Sequence, residues 1–240
     1  ATSVEEFREQ GFLAPAIVNY LTLLGWSPGD EQEIFSPADT LKKYELAKVS
    51  RTAAVYDTRK LLWMNGRYMV SLDLDTVVRE TIPFLIQQGM VSETQAREKY
   101  DEIRKVVGVV RDRVKTLAEL AGAVEYFFRD VVEYDEKGSN RYFASPGIGN
   151  LLHAAQEALT PLEVFDAKTL ESVYQGLIDE LGIKPGELIH PTRLALTGRS
   201  SSPGLYDVME LLGKERCLER LGRARIFLEN DKSFRSLPIE

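Results

Sequence analysis

The sequence is poor in the residue types that build metal and redox chemistry. One cysteine, Cys217, and two histidines, His153 and His190, are all it holds in 240 residues. A lone cysteine excludes an internal disulfide and any zinc site built on cysteines. Cys217 sits in a helical pattern and reads as a packed thiol, and such sparse cysteine fits a reducing cytosol. The histidines lie far apart, neither at metal-ligand spacing with cysteine or carboxylate, so both read as core-edge or surface residues. No apolar run approaches the ~18 residues of a membrane span. A Gly-x-x-x-x-Gly-Lys phosphate loop is missing, as is a Gly-x-Gly-x-x-Gly turn after a strand. Alternating strand runs with hairpin chemistry and fixed-period repeats are missing too. No nucleophile stands beside a base, and Glu5, Glu6, Asp101 and Glu102 sit where helix starts and solvated faces want them. On its own residues the chain reads as a binding module. Its first residues, Ala1-Thr2-Ser3-Val4-Glu5-Glu6, are polar and acidic, unlike a signal or transit peptide. Without an initiator methionine, the expectation is a processed or cut fragment.

What is present is apolar content for a core, 44% of residues, over a length that suits one large or two smaller domains. The net charge of -7 argues against a general DNA-coating protein. It leaves room for a nucleic-acid binder, because a local basic face is what counts.

Nearly every stretch has helical spacing. Thr2-x-x-Glu5 and Ser3-x-x-Glu6 are both capping-box patterns. Leu13, Ile17, Tyr20, Leu21 and Leu24 then recur on one face, with Gly25 closing the helix. Ser36-Pro37 makes a cap and first-turn pair. Asp57 caps a helix with Leu61 and Met64 inward and Gly66 as its stop. Lys60, Trp63 and Arg67 share another side of it. That side suits either a tryptophan pressed on a sugar-phosphate backbone between two cations or a surface pattern packed on a neighbouring helix. Asp75 reads as the cap of a helix carrying Val78, Ile82, Leu85 and Ile86, with Pro83 marking a kink or a late start. Ser92-x-x-Gln95 opens a long helix with the stripe Ala96, Tyr100, Ile103, Val107, Val110 and Val114. Arg104, Lys105, Arg111, Arg113 and Lys115 follow its later half. Thr116-x-x-Glu119 opens the next helix.

Tyr134 to Gly147, rich in charge, Gly, Ser and Asn, reads as the boundary between two helical bundles. A helix follows from about Gly147 to Leu159. Asp166 starts one with Leu170, Tyr174 and Ile178 inward that ends at Gly182, and Pro185 opens the helix leading to Arg193. Arg216, Arg220, Arg223 and Arg225 read as a basic tail on the last helix. Between these elements lies a polar loop. A helix ends at Gly198, Arg199-Ser200-Ser201 follow, and Ser202-Pro203 reads as the start of the next helix. Such a loop displays backbone groups, hydroxyls and an arginine between two fixed helices. It suits the reading of planar polar groups such as nucleotide bases, and equally a plain connector.

Three stretches together resemble bacterial glutamyl-tRNA synthetases. The first is Gly11-Phe12-Leu13 to Gly25-Trp26-Ser27, with Asn19-Tyr20-Leu21 inside it and Glu33-Ile34-Phe35 after it. The second is Val55-Tyr56-Asp57-Thr58-Arg59-Lys60-Leu61-Leu62-Trp63-Met64-Asn65-Gly66. The third is Arg193-Leu194-Ala195-Leu196-Thr197-Gly198, with Ser202-Pro203-Gly204-Leu205-Tyr206 and Leu211-Leu212-Gly213-Lys214-Glu215. Their order and spacing extend the resemblance over essentially the whole chain. Members of that family carry a catalytic domain with a His-Ile-Gly-His-like motif and a Lys-x-Ser-Lys-Arg-type motif. Neither motif is in this sequence.

The resemblance implies an all-α C-terminal half. A helical stem-contact domain at 1–73 would be followed by an anticodon-binding domain in two bundles, 74–138 and 139–240. It implies a cytoplasmic location, glutamate tRNA and an N-terminal catalytic domain as partners, and neither membrane nor DNA. It implies no cofactor in this part, although whole family members use ATP and Mg. By position, Arg193 matches an arginine that reads the first anticodon base. Ser202, Pro203, Gly204, Leu205 and Tyr206 match the loop and helix start around the anticodon bases. Arg113 matches a residue that reads the third base in members that discriminate glutamate tRNA from glutamine tRNA. Ser27, Ser50, Lys60 and Trp63 match positions near the tRNA backbone. The alternative from the same fold is a helical adaptor that holds a protein partner and binds no tRNA.

Overall fold

Short polar side chains set the helix starts in this chain, as the computed structural model shows. The model describes residues 3–29, 31–50, 55–131 and 133–230. Ser3 accepts the Glu6 N–H ahead of α1 (Val4–Glu9), Ser36 the Asp39 N–H ahead of α3 (Pro37–Lys43), and Asp57 those of Arg59 and Lys60 ahead of α4 (Thr58–Ser71). Asp166 does the same for Thr169 ahead of α12 (Ala167–Leu181). Each bond satisfies a first-turn N–H that the helix leaves unpaired, worth typically ~1 kcal/mol. Ser92 and Gln95 form the reciprocal capping box of α6 (Glu93–Glu98). The pattern beginning at Thr2 lies outside the described residues. Among the described residues the chain has no strand, only an isolated bridge between Trp26 and Val49.

The chain folds as two units, Ala1–Glu125 and Tyr126–Glu240. The resemblance divides the chain by role, at 73/74 and 138/139. The first unit holds α1, α2 (Ala14–Gly25), α3, α4, α5 (Leu74–Gln87), α6, α7 (Tyr100–Val110) and α8 (Leu117–Ala123). Phe7, Phe12, Tyr20, Leu61 and Met64 form one core cluster. Buried Asn65 clamps three segments. It accepts the Leu13 N–H at 2.8 Å and donates to the Lys115 carbonyl at 2.5 Å, tying the start of α2 and the approach to α8 onto α4.

Several sequence readings need correction in this unit. Gly66 does not stop α4, because Tyr68 and Met69 continue its buried face, and the Lys115 side chain lies where a Cβ at 66 would stand. The cap of α5 is Asp73, while Asp75 sits in the first turn and pairs with Arg104 at 2.9 Å. Pro83 lies inside α5 without delaying its start. The long helix after Ser92 breaks at Lys99 into α6 and α7, and a 3-10 turn, Arg111–Arg113, follows. Leu21, placed on the inner stripe of α2, is half exposed.

The short α9 (Glu125–Phe128) spans the boundary in sequence. The second unit continues with α10 (Glu136–Gly138), a π turn (Ser139–Phe143), α11 (Ile148–Leu159), α12, α13 (Pro185–Thr197), α14 (Leu205–Leu212) and α15 (Lys214–Asn230). Helix α15 packs on α11 and α13. Leu152, Leu159, Tyr174, Leu194, Val208 and Leu221 are fully buried. Cys217 is a packed thiol as expected, its pKa pushed up to about 12 by burial. The stretch 134–147 is not simply polar linker, since Glu136 to Phe143 is helical and Phe143 is buried. Helix α14 begins at Leu205 with Gly204 as its cap, later than the expected start at Ser202-Pro203.

The arginines of α15 are not a free basic tail. Arg220, 2% exposed, donates to the Leu196 carbonyl at 2.6 Å and to that of Arg129 at 2.8 Å. Arg216 donates to the Leu212 and Phe127 carbonyls, Arg223 pairs with Asp130 and Glu219, and Arg225 bonds Gln156. Leu196 carries one of the last carbonyls of α13, which have no helical N–H to meet. Arg220→Met should therefore leave two carbonyls without their donor and cost about 3 kcal/mol in denaturant unfolding. Arg223→Met, on an exposed pair, should cost far less; equal costs would contradict the structural role of Arg220.

Candidate nucleic-acid interface

The end of α13 and the loop after it are held by a few local bonds. Gly198 adopts φ 71°, a left-handed turn that closes the helix through a 2.8 Å bond from its N–H to the Leu194 carbonyl. A side chain at 198 would also strike the Glu133 carbonyl. The Thr197 hydroxyl donates to the Arg193 carbonyl at 2.8 Å and accepts the Arg199 N–H at 3.1 Å. Asp135 then fastens the loop. Its N–H donates to the Gly198 carbonyl at 2.8 Å, while its carboxylate accepts the N–H groups of Ser200 and Gly138 at 2.5 Å each. One residue thus joins the loop to α10.

Within this frame the Arg193 guanidinium is fixed from two nitrogens. Nε donates to Ser202 Oγ at 3.0 Å, and Nη1 lies 3.2 Å from His190 Nδ1. The Ser202 hydroxyl in turn donates to the Pro203 carbonyl at 3.0 Å. His190 stacks on Tyr142, ring centres 4.7 Å apart and planes 20° from parallel, and the Arg141 guanidinium lies 5.4 Å from the Tyr142 ring centre. Burial first, then Arg193 and Arg141, holds His190 below its ordinary pKa.

Arg193 and Ser202 are therefore brought into contact. Gly204 is exposed, whereas Pro203 and Leu205 turn their side chains into the core and leave only backbone for a ligand. Tyr206 is half-buried against Tyr174, ring centres 5.7 Å apart, and its hydroxyl pKa is raised by burial and Glu171. The sequence reading missed Asp135, Arg141 and Tyr142, which lie in the stretch read as a boundary. It set His190 aside as a core-edge residue. The spacing His190-x-x-Arg193, one helical turn, is the signal that pairs them.

The remaining candidates lie in the first unit. Arg113 is exposed on the 3-10 turn, 3.9 Å from the Asp112 carboxylate. Its neighbours Arg104 and Arg111 are bound to Asp75 and to the Leu72 carbonyl. Lys60 pairs with Glu33 at 2.5 Å, and Trp63 and Arg67 are exposed on the same side of α4. Ser27 and Ser50 flank the Trp26–Val49 bridge. The Ser50 N–H donates to the Gly25 carbonyl at 2.7 Å, and Ser27 Oγ accepts the Gly29 N–H at 3.3 Å. Among the described residues no three His, Cys, Asp or Glu side chains converge as metal ligands, and no helix is long and apolar enough to cross a membrane.

Residues 76–225, which include Arg113 and the whole Arg193 cluster, match the family model of the anticodon binding domain. The chain belongs to the anticodon-binding-domain family. Residues 1–63 match the model of the catalytic domain of class I tRNA synthetases of the E and Q type. A glutamate–tRNA ligase of Caldanaerobacter subterraneus is 48% identical over 231 residues, covering 96% of this chain and 47% of the relative. A glutamate–tRNA ligase of Moorella thermoacetica is 48% identical over 224 residues, covering 93% of this chain and 46% of the relative. The chain thus spans about half the length of the curated relatives it matches. Its fold is that of a crystallised glutamate tRNA ligase from Elizabethkingia meningosepticum, with a TM-score of 0.82 and 28% identity over 92% of this chain and 43% of the other. The resemblance carried by three stretches therefore holds across the chain, and so does the all-α fold.

If Asp135 fastens the loop, Asp135→Ala should speed amide hydrogen exchange at Ser200 and Gly138 and cost about 1–2 kcal/mol in stability. Unchanged protection at both amides would show that other contacts hold the loop.

Proposed function

We propose that this chain is the tRNA-recognising portion of a glutamate–tRNA ligase, and that the loop 198–204 with Arg193 reads the anticodon of glutamate tRNA. The observation that carries this reading is the fixed guanidinium of Arg193 beside exposed loop backbone, inside the segment that matches the anticodon binding domain. RNA readers splay loop bases out of the stack and hydrogen-bond their edges, while cations hold the phosphates. A guanidinium is a planar fork of donors suited to a base edge. Arg193 takes the first anticodon base. The exposed backbone around Ser202 and Gly204, the buried wedge of Pro203 and Leu205, and Tyr206 shape the surface for its neighbours. Arg113 contacts the third base and favours glutamate tRNA over glutamine tRNA.

The stem-contact part, 1–73, touches the backbone through Ser27, Ser50, Lys60 and Trp63. There Glu33 competes with phosphate for Lys60, so Trp63 and the neighbouring Arg67 supply much of that contact. Residues 74–138 and 139–240 act as the two parts of the anticodon reader. Ligation with ATP and Mg belongs to the cytoplasmic enzyme completed by its catalytic domain.

The test is equilibrium binding of glutamate tRNA, and of versions with each anticodon base changed, at two salt concentrations. Affinity should fall with added salt. Arg193→Ala should cost about 1–3 kcal/mol against the native first base and much less against a changed one. A uniform loss would make Arg193 a phosphate contact, and equal affinity for every anticodon would end the specific-reader reading. Arg113→Gln should lower the preference for glutamate over glutamine tRNA, and an unchanged ratio would remove it from the third base.

A further inference from the structure

We propose that His190 is a positioning residue for base recognition: its neutral imidazole, braced on Tyr142, presents the Nδ1 lone pair that sets the plane of the Arg193 guanidinium. This rests on the reading of Arg193 as the residue that contacts the first anticodon base.

The assignment follows from what each group can do. Arginine only donates, so the 3.2 Å contact between Nη1 and Nδ1 requires Nδ1 to be the acceptor. The imidazole is then neutral, with its proton on Nε2. Ser202 secures the other side of the guanidinium by accepting from Nε at 3.0 Å and donating onward to the Pro203 carbonyl at 3.0 Å. The His190 contact is made by a different nitrogen from the Ser202 bond, and two contacts from two nitrogens define the plane of the group. The ring itself is braced on one face and given room beside the helix. Tyr142, from the π turn, stacks on its face at 4.7 Å. One turn earlier on α13 stands Gly186, where a Cβ would come within 3.3 Å of His190 Cδ2 and 3.5 Å of Nε2. Glycine at that place gives the ring room to lie along the helix.

Protonation would undo the arrangement. A proton on Nδ1 sets donor against donor and cation against cation. Among the described residues the charged groups acting on the ring are both cationic, Arg193 on its own helix and Arg141 on the π turn packed against it, and the titratable ring facing it is Tyr142. Burial acts in the same direction. The folded pKa therefore lies below the unfolded value of 6.5. The neutral form is fully present above the unfolded value and is lost as pH falls through the folded one. Recognition by Arg193 should weaken in that acid window.

The experiment uses this chain and a hairpin carrying the glutamate tRNA anticodon arm, with the native or a changed first base. The ratio of the two dissociation constants is followed from pH 8 to pH 5. Wild type should lose about fivefold to tenfold of its discrimination, with a midpoint below ~6.5. His190→Asn puts a non-titrating oxygen near the place of Nδ1 and should keep discrimination at every pH. His190→Phe keeps a ring on Tyr142 without an acceptor and should discriminate poorly throughout. A flat wild-type profile, or His190→Phe matching wild type at pH 8, overturns the proposal. The free protein supplies a separate readout. Its imidazole 15N spectrum should show an unprotonated Nδ1, and the Arg193 Nε–H should exchange faster in His190→Phe than in wild type. A protonated Nδ1 at pH 7.5 overturns the positioning role without RNA. Wild type that ignores the first base at every pH, with those spectra as expected, overturns the reading of Arg193 and the recognition role of His190 together, while leaving the contact between them.

Discussion

A guanidinium buried under the end of α13 ties the last turn of that helix to the segment after α9. Arg220 meets the Leu196 carbonyl with one nitrogen and the Arg129 carbonyl with another. Burying a charge is costly unless its donors find partners, and carbonyls at a helix end are suitable ones because they concentrate the negative end of the helix dipole. Its Nε remains buried without a partner among the described residues, so the arrangement is not free of cost. In return the last turn of α13 is fixed from below. That turn carries Arg193, Thr197 and Gly198, and from it the loop departs. The position of Arg193 and of the loop after it follows from where that helix ends.

Arginines in this unit therefore do two different jobs, and burial separates them. Arg216 and Arg220 reach inward to backbone carbonyls and join α15 to α13, α14, α9 and the residue after α9. Arg193 and Arg141 stay near the surface in a set of planar groups with His190 and Tyr142. Asp135 completes the frame by bonding Gly198, Ser200 and Gly138 at once. A preorganised donor is what base recognition rewards, because ordering a long side chain at the moment of binding subtracts from affinity. The first unit lacks this degree of fixation at its candidate residues. Arg113 is an exposed arginine beside Asp112, and Lys60 is already paired with Glu33. The Lys60 pair can exchange one anion for another, which suits a phosphate, whereas Arg113 is ordered only when its base arrives.

Much of the fold was legible because helix starts depend on residues adjacent in sequence. Ser3, Ser36, Asp57, Ser92 and Asp166 all cap where their spacing says they should. Failures occurred where tertiary packing overrode a local signal. Gly66 resembles a stop, yet buried Tyr68 and Met69 carry α4 onward. The polar stretch around Asn140 resembles a linker, yet Phe143 anchors it in the core and Asp135 binds it to the loop. For the site, the loop and its arginine were visible as a loop and an arginine. The contacts of Arg193 with Ser202 and of His190 with Tyr142 were not, since they join positions 9 and 48 residues apart. The basic tail was misread for the same reason, because sequence shows that a residue is charged and not which carbonyl it faces.

The most direct test of the central claim is an NMR titration of the 15N-labelled chain with a hairpin carrying the glutamate tRNA anticodon arm. Shifts should concentrate on the Arg193 Nε–H and the backbone amides of 199–202 and 204–206. They should shrink when the first anticodon base is changed. Shifts spread over lysines and arginines across both units, and the same for every anticodon, would contradict a reader seated at the end of α13.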